Sequence, residues 1–150
     1  MNYVYINEVI GRSPYANVGL GTVSLQDSIM LREFASDHWR EKYLQPLVKG
    51  EIFPSFGMTE PEVASSDPTQ LQTTAILDKG MWKINGRKWF TTGASRAAYT
   101  TVMCKTELDA SNHGAFSMII VPTDNPGYKI IRETPVPVSY THLRAHETCH

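Results

Sequence analysis

The chain has 150 residues, 41% hydrophobic and 19% charged, with a formal net charge of −1 from 14 basic and 15 acidic residues. That length allows one ordinary domain with its own core and only part of a second. The charges are interspersed without runs, which excludes a nucleic-acid or anionic-membrane footprint, and no window approaches the roughly 20 apolar residues of a membrane span. Met1 to Tyr5 carries neither the basic nor the apolar region of a secretory signal, and Cys104 and Cys149 make no disulfide framework. A reducing, cytoplasmic setting is therefore expected.

From Tyr3 to about Lys49 the apolar residues recur at helical spacing: Val4, Val9 and Ile10, then Leu25, Ile29 and Leu31, then Trp39, Tyr43, Leu44 and Leu47. Three helices are predicted, the first pair broken by Gly11-Arg12-Ser13-Pro14 and Gly19-Leu20-Gly21. Ser24 and Ser36 (or Asp37) are N-cap candidates, and Gly50 stands where a helix stop places glycine.

Beyond Gly50 the pattern turns to short strands rich in threonine, aromatic and β-branched residues, so a domain boundary is expected near Glu51. Thr73 to Leu77, Met81 to Ile84 and Arg87 to Thr91 read as a meander, joined by Asp78-Lys79-Gly80 and by Asn85-Gly86. Asn-Gly is a hairpin signal because both residues tolerate positive φ. Further strands are predicted at Tyr99 to Lys105, Ala115 to Val121 and Tyr128 to Arg132, separated by the polar loop Glu107 to Gly114 and the turn Asp124-Asn125-Pro126-Gly127. The expected fold class is α+β: a partial N-terminal helical bundle over residues 1–50, then a small, mostly complete β-barrel or sandwich over residues 51–137.

Two stretches can carry chemistry. Phe56-Gly57-Met58-Thr59-Glu60-Pro61-Glu62-Val63-Ala64-Ser65-Ser66-Asp67 is crowded with hydroxyls and small residues. Its backbone N–H groups and hydroxyls can cradle a polar cofactor, although the same composition suits a solvated interdomain loop. In Lys88-Trp89-Phe90-Thr91-Thr92-Gly93, strand alternation would set Thr91 on the face of Trp89. An indole beside a hydroxyl can stack on and hydrogen-bond a planar heterocycle; the alternative is a core tryptophan.

Together, and in this order, the stretches resemble the acyl-CoA dehydrogenase family. Its middle domain opens on a Thr-Glu-Pro loop ending in Ser-Asp. About 25 residues later it carries Ile-Asn-Gly-x-Lys-x-Trp-Ile-Thr-x-Gly, where this chain reads Ile84-Asn85-Gly86-Arg87-Lys88-Trp89-Phe90-Thr91-Thr92-Gly93. Trp39-Arg40-Glu41-Lys42-Tyr43-Leu44-Gln45-Pro46-Leu47 is similar to the family's last N-domain helix, and Ile119-Ile120-Val121-Pro122 with Pro126-Gly127-Tyr128 to its late middle-domain strands. The resemblance runs from Tyr3 to Pro137. Glu62-Val63-Ala64-Ser65 replace the usual glycines and the loop is one residue longer, a feature resembling members fused to a phosphotransferase-like domain. Of Ser65 and Ser66, Ser66 directly precedes Asp67 and is taken as the family serine.

The resemblance implies a flavoprotein of fatty acid metabolism that uses FAD to oxidise the Cα–Cβ bond of an acyl-CoA to a trans-2-enoyl-CoA. A carboxylate base takes the α-proton while the β-hydride passes to flavin N5. It further implies that Phe56, Gly57, Met58 and Thr59 bind the flavin's pyrimidine edge. Trp89 and Phe90 lie beside the isoalloxazine, Thr91 near N5, and Ser66 where flavin phosphate and acyl-CoA meet. No residue here is expected to be catalytic, because the family's base lies in a C-terminal helical domain; Glu60 is structural and Glu62 is no substitute. Electron-transfer flavoprotein is the implied acceptor, and the parent is expected to be a homo-oligomer. Acyl-CoA oxidases, nitroalkane oxidases and flavin monooxygenases share this middle domain, and a non-catalytic binding module is an alternative of another class. Intact Thr59, Trp89 and Thr91 speak against the last. The isolated fragment is expected to be poorly soluble, nearly flavin-free and inactive.

At the end of the chain, His142, His146 and His150 fall at spacing four with Cys149 nearby, the pattern of a helical metal site. Yet Val138 to Thr148 resembles a translated sequencing adapter, so residues 138–150 are expected to be a non-native tail and no metal is assigned.

Overall fold

The computed structural model describes residues 3–13, 22–64, 67–107, 114–133 and 146–149. The chain divides into two compact units, Met1–Phe53 and Pro54–His150. The first is helical, with α1 at Tyr3–Gly11 and α2 at Thr22–Phe34. A composite α3 follows, with an α-turn at Asp37–Trp39, a π-helical stretch at Arg40–Leu44 and a last α-turn at Gln45–Val48. Pro46 explains the π stretch: it has no N–H to give the carbonyl four residues back, and the Gln45 N–H reaches Arg40 O instead.

Ser24, expected as an N-cap, lies inside α2, which already runs from Thr22. Ser36 does occupy the N-cap of α3, in extended backbone, but its side chain makes no capping bond. Gly50 ends α3 at φ 74°. Its N–H meets Leu47 O at 3.0 Å and the Glu51 N–H meets Pro46 O at 2.9 Å, the paired bonds of a Schellman stop. Ile10, Leu31, Tyr43 and Leu47 are buried, whereas Val4, Val9 and Ile29 of the same apolar spacing are exposed.

The second unit is a mixed sheet, so the chain is α+β. Its described strands are β1 (Pro54–Gly57), β2 (Thr74–Asp78), β3 (Met81–Trp89), β4 (Tyr99–Lys105), β5 (Phe116–Pro122), β6 (Tyr128–Lys129) and β7 (His146–Cys149). They pair in the order β1-β4-β2-β3-β7-β6, with β5 also on β4. β4 is the hub: parallel to β1 from Pro54↔Tyr99 to Gly57↔Val102, and antiparallel to β5 along its length. Val102 and Cys104 turn to a core completed by Ala75, Val121 and Tyr128, with Ile84 and Ile119 packed against it.

Two sequence expectations fail here for physical reasons. Phe56-Gly57, expected as the start of a cofactor or interdomain loop, ends the strand Pro54–Gly57, which adds in parallel to the edge of β4. Asn85-Gly86, expected as a hairpin turn, lies inside β3. Residues Met81 to Asn85 pair with β2 and Gly86 to Trp89 pair with β7, so the dipeptide marks where β3 changes partner. Glycine is required there because a Cβ would collide with the Thr73 side chain. The real two-residue turn is Lys79-Gly80, both at positive φ (51° and 80°), between the paired Asp78 and Met81.

His146–Cys149, within the residues expected to be a non-native tail, form a strand between β3 and β6. Strand addition uses backbone N–H and C=O groups, so an open edge accepts an extended segment with little regard to side chains. The extended backbone also removes the helical premise of the histidine spacing; His142 and His150 lie outside the described residues.

Candidate functional site

The two motif stretches meet at the end of β3. The Trp89 N–H donates to Thr59 O at 3.0 Å, joining the far side of the Phe56 to Thr59 segment to the last strand residue. Beside it, Lys88 Nζ donates to Met58 O at 2.9 Å and to Glu60 Oε1 at 2.7 Å. The lysine stem runs beside Gly57, where a Cβ would meet Lys88 Cγ and Thr100 Cγ2 in ordinary contact at 3.4 Å.

Lys88 and Glu60 form a buried ion pair, with side chains 2% and 3% exposed. Glu60 spends its remaining capacity on the backbone, Oε2 accepting from Gln72 N at 2.6 Å and Oε1 from Thr73 N at 2.9 Å. Burial pushes this carboxyl up, but the Lys88 ammonium and the two backbone N–H groups outweigh it and hold Glu60 below the ordinary carboxylate value. A carboxylate so engaged anchors the loop that leaves Pro61 and returns at Leu71. Within that loop Asp67 accepts from Thr69 N at 3.0 Å and opens a short 3-10 turn. Ser65 and Ser66 lie outside the described residues.

Beyond Trp89 the strand breaks. Phe90 takes a left-handed φ of 54°, a strained backbone for a bulky residue. This overturns the same-face relation expected of Trp89 and Thr91, since strand alternation stops at Trp89. Trp89 is half-buried, Phe90 is 45% exposed with its ring centroid 4.6 Å from the indole, and Thr91 is buried. Thr91 Oγ1 and Trp89 Nε1 are buried without a hydrogen-bond partner among the described residues. Such orphans cost about 1–3 kcal/mol each, and two of them flank the strained Phe90.

Phe56, Met58 and Thr59 are half-buried and Gly57 is buried. Sequence reasoning passed over Lys88 and the structural use of Gly86. For Lys88 a signal was present: a lysine flanked by Arg87 and Trp89 in β3, and an acidic residue in the partner motif to receive it. Burial also pushes the Cys104 thiol, in the core beneath β4, up to about 11.

The strand end and the loop are thus tied together in the β unit, with two buried polar atoms beside the junction. The family model for the acyl-CoA dehydrogenase middle domain matches residues 55–149, and the chain belongs to the acyl-CoA dehydrogenase family. A Mycobacterium tuberculosis protein described as "Probable acyl-CoA dehydrogenase FadE2" is 45% identical over 109 residues, covering 71% of this chain and 27% of its own length. A Mycobacterium abscessus structure, described as that of a candidate acyl-CoA dehydrogenase, superposes with a TM-score of 0.90 at 32% identity, covering 98% of this chain and 38% of its own. The structure described as the FAD complex of PigA gives a TM-score of 0.74 at 26% identity over 82% of this chain and 32% of its own. The chain thus spans about a quarter of the length of FadE2. Among the described residues, no helix is long and apolar enough to cross a membrane.

Proposed function

We propose that this chain is the flavin-cradling part of an FAD-dependent acyl-CoA dehydrogenase, which converts an acyl-CoA thioester to its trans-2-enoyl-CoA and passes electrons to electron-transfer flavoprotein. The observation that carries the reading is the junction at Trp89, where the Trp89 N–H holds Thr59 and the orphaned Trp89 Nε1 and Thr91 Oγ1 lie on either side of strained Phe90.

These residues fit a flat heterocycle with acceptors along one edge. The Met58 and Thr59 carbonyls are engaged by Lys88 and Trp89, which biases the Phe56 to Thr59 segment toward donation. The half-buried indole of Trp89 offers a stacking face. The Thr91 hydroxyl is closed to solvent, so its contact with a flavin requires a local opening at Phe90. FAD, when bound, supplies the acceptor for the substrate's hydride at N5; the protein's share is to hold the two planes in register. Glu60 takes no proton in this scheme because three donated contacts, from the Lys88 ammonium and the Gln72 and Thr73 N–H groups, and the lysine's own bond to Met58 lock it in place.

The parent protein tests the reading. It should purify yellow, and an acyl-CoA added anaerobically should bleach the flavin; absence of bleaching with every chain length tried would refute the dehydrogenase. Trp89→Ala or Thr91→Ala should lower flavin content or slow flavin reduction, and wild-type values in both would refute the site.

A further inference from the structure

Most of the interactions that join the two motif stretches pass through one side chain. The Lys88 ammonium reaches Met58 O and Glu60 Oε1, and the next residue's N–H reaches Thr59 O. Glu60 extends the same connection to Gln72 and Thr73, where the chain enters β2. One buried ion pair therefore fixes both ends of the loop between Glu60 and Gln72, as well as the segment that precedes it.

We infer that Lys88 is a positioning residue for the flavin-facing surface, its ammonium clamping Met58 to Glu60 against the end of β3 and thereby setting Thr59 relative to Trp89. The inference rests on the flavin reading above and assigns the clamp within it. Stability alone does not account for the pair. Taking a lysine and a glutamate out of water costs much of what their attraction returns, and apolar residues of similar volume would fill the space at no greater cost. What apolar residues lack is direction. An ammonium between a carbonyl and a carboxylate fixes where both sit.

The test uses the parent protein in three forms: wild type, Lys88→Arg, and Lys88→Met combined with Glu60→Gln so that no buried charge is left alone. Circular dichroism and thermal unfolding report the fold. FAD dissociation, flavin fluorescence at saturating FAD, and deuterium uptake in peptides covering residues 56–60 and 86–91 report position. The double variant should bind FAD about tenfold more weakly or worse, the scale at which lost supporting contacts act at metal sites. It should also quench the saturated flavin less and exchange the Trp89 amide faster. Lys88→Arg, whose planar fork cannot reproduce the point contact beside Gly57, should fall between. A purely structural lysine would lower the folded fraction and leave the saturated flavin spectrum unchanged. Wild-type affinity, spectrum and Trp89 exchange in the variants overturn the clamp, and Lys88→Arg carries the test alone if the double variant does not fold. Wild-type protein that binds no FAD overturns the flavin reading instead, and Trp89 exchange still decides whether the clamp exists.

Discussion

Lys83 and Lys88 stand on the same strand, β3, and each meets a carboxylate, yet the two pairs have different physical consequences. Lys83 bonds Asp78 across the β2–β3 hairpin with side chains 70% and 40% exposed. Lys88 bonds Glu60 from a distant loop with both side chains almost wholly buried. In the first, water stabilises each charge whether or not the partner is there. In the second, the partner has replaced water, so each group depends on the other. Sequence distance reinforces this: the Lys83 pair spans a turn that β pairing already closes, whereas the Lys88 pair spans 28 residues and sets where a loop lies.

Lys88→Met should have the largest effect, since it leaves the Glu60 carboxylate buried with only backbone donors. The expected loss is about 3–5 kcal/mol, read as a fall in the urea midpoint. Restoring neutrality with Glu60→Gln in the same chain should recover much of it. If the double variant is no more stable than the single, the buried-charge account is wrong.

Gly86→Ala comes next. The added methyl would meet the Thr73 side chain, itself buried beside the backbone N–H that Glu60 accepts. Overpacking of this kind costs about 1–3 kcal/mol, and trimming the neighbour with Thr73→Ser or Thr73→Ala should relieve part of it. Independent costs in a double-mutant cycle would mean that glycine serves some other purpose.

How much of this was legible beforehand divides along the same line. The β4 bounds, Tyr99 to Lys105, were readable because its run of aromatic, threonine and apolar residues has strand propensity throughout, and its first four residues are buried in succession. The β2–β3 connection was readable as turn chemistry, Lys79-Gly80 forming it within the expected Asp78-Lys79-Gly80, whereas the more conspicuous Asn85-Gly86 forms no turn. Local propensity describes what a dipeptide tolerates, and Thr73 against Gly86 is a tertiary contact with no local trace. The same limit applies at the site. Trp89, Thr59 and Thr91 were named from motif and resemblance, while the left-handed turn at Phe90 broke the alternation that had placed Trp89 and Thr91 on one face. Lys88 was part of the motif but carried no role of its own until its partner, 28 residues earlier, was folded against it.

A smaller effect is carried by pH. Glu60 titrates below its ordinary value of 4.5 in the folded chain. A depressed folded value means that the pair's contribution is fully present above that ordinary value and is lost as pH falls through the folded one. The urea midpoint of the wild type should therefore drop on acidification below about pH 4.5 more steeply than that of the Lys88→Met, Glu60→Gln variant. Parallel acid profiles would show that other carboxylates govern acid unfolding.

The smallest effect should come from Lys83→Met. The Lys83–Asp78 pair is exposed, and the cross-strand neighbour of Lys83 is Ile76, itself 55% exposed. An ion pair of this kind contributes about 0–1 kcal/mol and less in salt, while the methionine gains some contact with Ile76 to offset it. The change should therefore be within about 1 kcal/mol of zero and shrink further at high ionic strength. It should leave FAD binding by the parent unchanged, because β2–β3 pairing and the Lys79-Gly80 turn already fix the hairpin without it. A loss at Lys83 as large as that at Lys88 would mean that burial does not separate the two lysines, and the positioning role assigned to Lys88 would lose its physical ground.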